Sequence, residues 1–185
     1  WNHDCLNAAE LARRAEAAGV AMVTVHGRTR CQFYSGAADW AAISEIVAAV
    51  NVPVIANGDI TDVATARRAA AQSGAAGVMI GRGARGRPWV LAEVAAAMGQ
   101  GAAPVEPKGA ALADLVAGHY EAMLGFYGRD LGLRVARKHL GWYMDAAGTG
   151  ERLRRAVLTA VSPAAVLEHL PEAMEARAVD ARAAA

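Results

Sequence analysis

Three short apolar segments that end in glycine or polar residues constrain the fold of this 185-residue chain most strongly. They are residues 20–26, 52–57 ("VPVIAN") and 77–81 ("GVMIG"), and a segment with helical periodicity follows each of them. Continuous apolar strands that alternate with helices predict a parallel sheet covered by helices. We therefore predict an α/β fold, and at this point a barrel and an open sheet both agree with the pattern.

Aspartates mark the starts of two of the predicted helices. Asp39 is predicted to cap the helix after the first strand, with Trp40 on its inner face. Asp62 is predicted to cap the helix after the second strand, which ends near Gly74.

The composition changes after residue 99. The stretch "GQGAAPVEPKG" reads as a Gly/Pro linker, and beyond it the apolar residues recur only at helical spacing. We predict two domains, an α/β domain over residues 1–99 and a small helical bundle over residues 109–185, joined by a linker over residues 100–108.

Overall composition excludes several classes of protein. Nineteen basic and eighteen acidic residues give a formal net charge of +1, so nucleic-acid binding would require a local patch. Two cysteines, Cys5 and Cys31, do not make a disulfide framework, and no Cys/His spacing indicates zinc. Because no signal peptide or long apolar run is visible, we expect a cytoplasmic protein.

Glycine and polar residues that suit an anionic ligand follow the carboxyl ends of the three predicted strands. In parallel α/β folds, ligands lie beyond these strand ends, and glycine allows backbone N–H groups to approach an anion. A phosphate site is therefore predicted at this edge. The residues are His26, Arg28 and Thr29 after the first strand, Asn57, Gly58 and Asp59 after the second, and Gly81, Arg82 and Gly83 after the third.

Each of these motifs also has a purely structural explanation. Asn-Gly-Asp and Gly-Arg-Gly both occur in ordinary tight turns, and His26 also suits a core position with a backbone partner. Three such motifs at the same end of three consecutive strands favour a shared ligand site.

A basic segment in the predicted helical bundle suggests a second site. It combines cations with aromatic residues, which suits phosphate contact and base stacking in RNA, although for this segment alone a solvated helix face is the better explanation. Its residues are Arg134, Arg137, Lys138 and His139, with Trp142 and Tyr143 just beyond.

Several of these motifs together resemble the tRNA-dihydrouridine synthases, most of all the bacterial B-type branch. The resemblance extends from about residue 6 to about residue 146. It is carried by "TVHGRTRCQFYSGAADW", "PVIANGDI", "GVMIGRGARGRPWV" and "ARKHLGWY".

The resemblance implies an FMN-binding (β/α)8 TIM barrel followed by a helical tRNA-binding domain. It also implies an oxidoreductase, a flavoprotein that reduces uridine in tRNA to dihydrouridine with NADPH. The uracil would be extruded to stack against the flavin, and a cysteine would protonate it.

Residue by residue, the resemblance implies a cofactor site and a substrate site. The cofactor residues, which would contact the flavin or hold the FMN phosphate and ribityl chain, are His26, Asn57, Gly58, Asp59, Gly81 and Arg82. The uridine- or tRNA-binding residues are Arg28, Thr29, Arg134, Arg137, Lys138 and His139.

The chain departs from the family layout because it holds three βα units where a full barrel has eight. Neither Cys5 nor Cys31 occupies the place of the family's proton donor, so we expect this chain alone to be inactive. We also expect self-association through open barrel edges. Two alternatives stay open, a tRNA-binding module without catalysis and another phosphate-binding TIM-barrel enzyme, although the basic helical segment argues against the second.

Overall fold

A computed structural model describes residue 2 and residues 4–183, with side chains as far as residue 175. Residues 1, 3, 184 and 185, at the outer ends of the two predicted domains, lie outside the described part. The chain divides into two compact units. Unit 1 contains Trp1–Ala84 and Trp89–Pro104, and unit 2 contains Arg85–Pro88 and the chain from Val105 onwards.

Unit 1 is a three-stranded parallel sheet with four α-helices. The strands pair in the order β1-β2-β3, and Val25, Ala56 and Val78 lie side by side across them. This confirms the predicted α/β class. The elements are α1 (Ala8–Ala17), β1 (Val23–His26), α2 (Ile43–Ala49), β2 (Val54–Asn57), α3 (Val63–Ser73), β3 (Gly77–Met79) and α4 (Val90–Ala97).

The helices of unit 1 cover one face of the sheet. Val54 and Ala56 of β2 are buried together with Ile43 and Ile46 of α2. Alanines fill much of the remaining core. Because their side chains are small, the helices pack closely against the sheet although the chain contains few aromatic residues. The residues of the second core cluster are Ile60, Ala66, Ala69, Val90 and Val94.

Local capping explains why α3 begins and ends where it does. The Asp62 side chain accepts a hydrogen bond from Thr65 N at 2.7 Å, and Thr65 Oγ1 accepts one from Asp62 N at 3.0 Å. Gly74 closes the helix in the left-handed conformation that glycine favours. The sequence predicted both ends correctly, since an aspartate cap and a terminal glycine are strong signals.

The predicted start of α2 at an Asp39 cap is wrong. Asp39 Oδ1 accepts a hydrogen bond from Ala42 N at 3.0 Å, but this bond closes a turn, and α2 begins only at Ile43. Trp40 therefore lies in the turn before α2, and its indole N–H reaches the loop that follows β2.

Unit 2 consists of four helices, with no strand among its described residues. Large apolar side chains from three of them, including Tyr120, Leu140, Met144 and Leu170, form its buried centre. This agrees with the predicted helical bundle, and none of the helices described is long and apolar enough to cross a membrane. The helices are α5 (Ala110–Tyr127), α6 (Arg129–Ala147), α7 (Glu151–Thr159) and α8 (Pro163–Ala183).

Candidate functional site

The carboxyl ends of the three strands meet at one edge of the sheet in unit 1. His26 pairs in register with Asn57, and Asn57 pairs with Met79. The Asn57 side-chain amide donates a hydrogen bond to the Met79 carbonyl at 2.8 Å, and Gly27 N donates to the Asn57 carbonyl at 2.9 Å. Asn57 therefore ties the three strand ends together.

Asp59 is the electrostatic centre of this edge. Its carboxylate is paired with the Arg28 guanidinium and accepts a hydrogen bond from Ala38 N at 2.8 Å, while Arg82 Nη2 lies 3.8 Å away. The Arg28 hydrogen bond, followed by that of Ala38, lowers the pKa of Asp59, so the carboxylate is ionised at neutral pH. Two guanidinium groups and one carboxylate leave the cluster with one net positive charge.

Arg28 points into its own loop. Its side chain is only 3% exposed, and its guanidinium donates to the carbonyls of Ser35 at 3.2 Å and Gly36 at 2.7 Å. The remaining terminal nitrogen, Nη1, is buried without a hydrogen-bond partner in the described part of the chain. Arg28 thus holds the 27–38 loop against Asp59, and its uridine-side role stays a prediction.

Thr29 begins a short 3₁₀ turn over Arg30–Gln32. Its hydroxyl accepts a hydrogen bond from Gln32 N at 3.3 Å, and its own N–H donates to Gln32 Oε1 at 2.8 Å. This reciprocal pair is a capping box, so the structure gives Thr29 a clear role in shaping the loop.

Gly58 has a backbone that only glycine adopts easily. Its φ angle is +117°, and a Cβ there would lie 2.8 Å from Ala38 Cβ and 3.2 Å from His26 Cε1. The Trp40 indole N–H donates to the Gly58 carbonyl at 2.8 Å, which fixes the turn further. Gly58 is therefore required for packing, whatever ligand binds beside it.

The Gly81–Gly83 turn packs against the turn that follows β2. A Cβ at Gly83 would lie 2.5 Å from the Ile60 carbonyl oxygen, whereas a Cβ at Gly81 would meet no atom within 4 Å. The N–H groups of Gly81 and Arg82 have no hydrogen-bond acceptor among the residues that the structure covers. An open glycine with free amides beside a guanidinium is an arrangement that suits an anion.

His26 lies on the open face of the sheet at this edge. Burial lowers the pKa of its imidazole, and the positive charge of Arg28 lowers it further, more than the Asp59 carboxylate raises it. The ring is therefore neutral at neutral pH and offers one donor and one acceptor nitrogen.

The basic residues predicted in the helical segment all lie on α6 of unit 2. Arg134, Arg137 and Lys138 are exposed, and none of them has a carboxylate within ion-pair distance among the described residues. His139 is only partly exposed, and its ring makes edge contacts with His119 and Trp142 at centroid distances of 5.2 and 5.0 Å.

Two contacts at the strand-end site were not anticipated from the sequence. Trp40 packs against both core clusters, as predicted, and its indole N–H in addition donates a hydrogen bond to the Gly58 carbonyl. The Arg82 guanidinium lies over the Tyr34 ring, 4.3 Å from its centroid, a cation–π contact between residues far apart in sequence. The only sequence signal for the second contact is the aromatic pair in "QFY".

No group of three or more potential metal ligands occurs within the described residues. Both Cys5 and Cys31 are exposed.

Together, the parallel strands and the glycine-rich, arginine-lined edge define an α/β protein with a candidate anion site at its strand ends. The family described as Dihydrouridine synthase (Dus) matches residues 1–179. The chain belongs to this family.

Individual relatives agree with the family match. The chain is 61% identical over 96% of its length to a "Probable tRNA-dihydrouridine synthase" from Rhodobacter capsulatus, of which it covers 54%. It is 46% identical over 93% of its length to a protein of the same name from Rickettsia conorii, covering 52% of that protein. It is also 44% identical over 90% of its length to "tRNA-dihydrouridine synthase B" from Xanthomonas axonopodis pv. citri, covering 50%. The chain therefore spans about half the length of these curated relatives.

Proposed function

We propose that this chain supplies the flavin-phosphate edge and the RNA-binding helices of an FMN-dependent tRNA-dihydrouridine synthase. The whole enzyme would be a cytoplasmic oxidoreductase that reduces uridine in tRNA with NADPH. Family membership and the printed names of the relatives support the reaction. The structural observation that carries the proposal is the convergence of the 57–59 and 81–83 turns on one sheet edge, where Arg82 lies 3.8 Å from Asp59.

The residues at this edge fit the tail of FMN. Gly81 leaves room for a phosphate, its N–H and that of Arg82 are free to donate, and the Arg82 guanidinium is about half exposed. Asp59 does not repel the anion because two arginines neutralise it. When bound, FMN supplies hydride transfer between the nicotinamide and the uracil.

The remaining residues at the edge position this cradle. Asn57 fixes the strand ends, Gly58 allows the turn, and Arg28 with Asp59 anchors the loop that carries Tyr34. The neutral His26 ring, exposed beside Gly58, is available to hydrogen-bond a flavin or pyrimidine oxygen.

Unit 1 would form the last three βα units of a TIM barrel. Its helices pack on the face that contains Val25, Ala56 and Val78, as the outer ring of a barrel does. The opposite face bears Thr24, His26 and Met79, all exposed. β1 and β3 each pair only with β2 in the described sheet, so we propose that isolated chains self-associate through these edges. Light scattering that shows a monomer at all concentrations would contradict this.

We assign the catalytic proton donor to a cysteine outside this chain. The chain alone would therefore be inactive. A direct test compares the full-length gene product with the 185-residue chain on unmodified tRNA with NADPH. We expect the full-length gene product to form dihydrouridine and the 185-residue chain to form none. Activity of the short chain would place the proton donor within it.

Gly81→Val in the full-length gene product tests the phosphate cradle. The added side chain meets no protein atom within 4 Å of Cβ, so the unfolding midpoint should stay near that of the wild type while FMN is lost. Gly118→Val is the matched control, because Gly118 is equally open but lies on α5. Undiminished FMN in the Gly81 variant would remove Gly81 from the cofactor site.

The exposed cations of α6 are proposed to contact tRNA phosphates. Each phosphate contact contributes about 0.7–0.9 to the slope of log affinity against log salt. Arg137→Ala combined with Lys138→Ala should therefore flatten the slope by about 1.4–1.8. An unchanged slope would remove both residues from the interface. A colourless chain that still binds tRNA would favour a binding module without catalysis.

A further inference from the structure

Arg85 of unit 2 is an exposed cation that an aromatic ring holds in place. Its guanidinium carbon lies 4.4 Å from the centroid of the Trp142 ring on α6. No carboxylate lies within ion-pair distance of Arg85 in the described part of the chain. A guanidinium that lies over an aromatic ring keeps N–H groups available for an anion.

Gly86 fixes the position of Arg85 on the helix. Its φ angle is +68°, and a Cβ there would overlap with the Trp142 carbonyl oxygen and lie 2.7 Å from the carbonyl carbon. The backbone beside Arg85 therefore lies directly against α6. This contact places the arginine over Trp142 before any ligand arrives, which reduces the entropy lost on binding.

Arg85 continues a row of cations on α6. Arg134, Lys138 and Trp142 are spaced four residues apart, so they lie on one helix face at steps of about 6 Å. Since Arg85 covers Trp142, the row consists of three exposed cations, with Arg137 beside it. A row of unpaired cations attracts a linear polyanion more strongly than a single small one.

The other arginine cluster in unit 2 differs because carboxylates neutralise it. Each of its three arginines, all on α7, has an acidic partner within 4 Å, so it adds little net positive potential. The pairs are Arg152 with Glu172 at 2.9 Å, Arg154 with Asp145 at 2.5 Å, and Arg155 with Glu151 at 3.6 Å.

His139 supports this row without adding charge to it. Its ring packs between His119 and Trp142, and burial lowers its pKa, with further lowering by the charges of His119, Arg85 and Lys138. The ring is therefore neutral at neutral pH and acts as a buttress for the indole under Arg85.

We propose that Arg85, stacked on Trp142, binds an RNA phosphodiester and extends the Arg134–Lys138 row into one continuous phosphate-binding line. This inference rests on the proposed tRNA-binding function and adds a residue from outside the helical sequence motif. Within the part of the chain that the structure describes, no ion pair holds Arg85 in position. The stack on Trp142 and the contact of Gly86 with α6 orient its side chain instead.

The test is the salt dependence of tRNA binding by the full-length gene product. Arg85→Gln should lower the slope of log affinity against log salt by about 0.7–0.9, as the loss of one phosphate contact requires. Arg85→Lys should keep the slope and weaken binding, because lysine retains the charge but loses the planar stack. The matched control is Arg155→Gln, an exposed arginine with a carboxylate partner, which should leave the slope unchanged.

The outcomes separate this inference from the function on which it rests. A wild-type slope for Arg85→Gln, together with a flattened slope for the Arg137/Lys138 double variant, would overturn the role of Arg85 alone. A protein that does not bind tRNA would overturn the proposed function as well. Equal slope losses for Arg85→Gln and Arg155→Gln would show a general charge effect and would also contradict the assignment.

Discussion

Replacing Asp59 with asparagine should destabilise unit 1 substantially, because it leaves the Arg28 charge without its counterion. Breaking a buried ion pair by removing one partner costs about 3–5 kcal/mol. Arg28 is 3% exposed, but Asp59 is 32% exposed, and Arg28 keeps its bonds to the Ser35 and Gly36 carbonyls. We therefore expect a loss of about 2–3 kcal/mol in the free energy of unfolding.

Asparagine is the suitable replacement because it isolates the charge. Asp59 has a φ angle of +52°, a conformation that asparagine tolerates, and the amide oxygen can still accept from Ala38 N. The assay is urea unfolding followed by circular dichroism at pH 7. The control is Asp62→Asn, which should change stability by less than about 0.5 kcal/mol since asparagine caps a helix as well as aspartate does.

The pH dependence gives the Asp59 prediction a second readout. The pKa of Asp59 is lowered in the folded protein, so its contribution to stability is complete above the ordinary value of about 3.9. This contribution is lost as the pH falls through the lower, folded value. The difference between wild type and Asp59→Asn should therefore shrink in acid. If Asp59→Asn lowered the free energy of unfolding at pH 7 by less than about 1 kcal/mol, and by no more than the Asp62→Asn control does, the reasoning would be refuted.

Two further predictions concern the same unit and the histidines. Gly83→Ala should lower the free energy of unfolding by about 1–3 kcal/mol, because its Cβ would press on the Ile60 carbonyl. Gly81→Ala should be nearly neutral in the same urea unfolding experiment. Equal effects of the two substitutions would contradict the packing of the two turns. His26 and His139 both have lowered pKa values, so the unfolded chain binds protons first and the free energy of unfolding should fall as the pH drops below about 6.5. A flat profile from pH 7.5 to 5.5 would show that neither ring is desolvated.

The arrangement of the strand ends could be predicted from the sequence because parallel β-sheets follow simple geometric rules. Once three apolar strands alternate with helices, their carboxyl ends must share an edge, which brings His26, Asn57 and Gly81 together. Local signals of this kind also predicted the cap at Asp62 and the stop at Gly74.

The orientation of Arg28 could not be predicted in this way. It depends on a pairing with Asp59 across 31 positions of sequence and on carbonyls supplied by a loop of irregular shape. A surface arginine and a buried one look identical in a single sequence. For the same reason Asp39 was mistaken for a helix cap, since a turn and a first helical turn share the same side-chain hydrogen bond.

The stack of Arg85 on Trp142 was also out of reach of sequence reasoning. It joins Arg85 to Trp142 of α6 across 57 positions of sequence, and the contact depends on the left-handed backbone of Gly86. Glycine in "ARGRPW" indicates a turn but does not say which helix the turn will touch.

The central claim is that the strand-end edge holds the phosphate of FMN, and the most direct measurement compares FMN with riboflavin. Both ligands should be titrated into the flavin-free full-length gene product and into its Arg82→Gln variant. The wild type should bind FMN at least about tenfold more tightly than riboflavin, a difference of about 1.4 kcal/mol, and the variant should lose most of that preference. Equal affinity of the wild type for the two ligands would contradict the account.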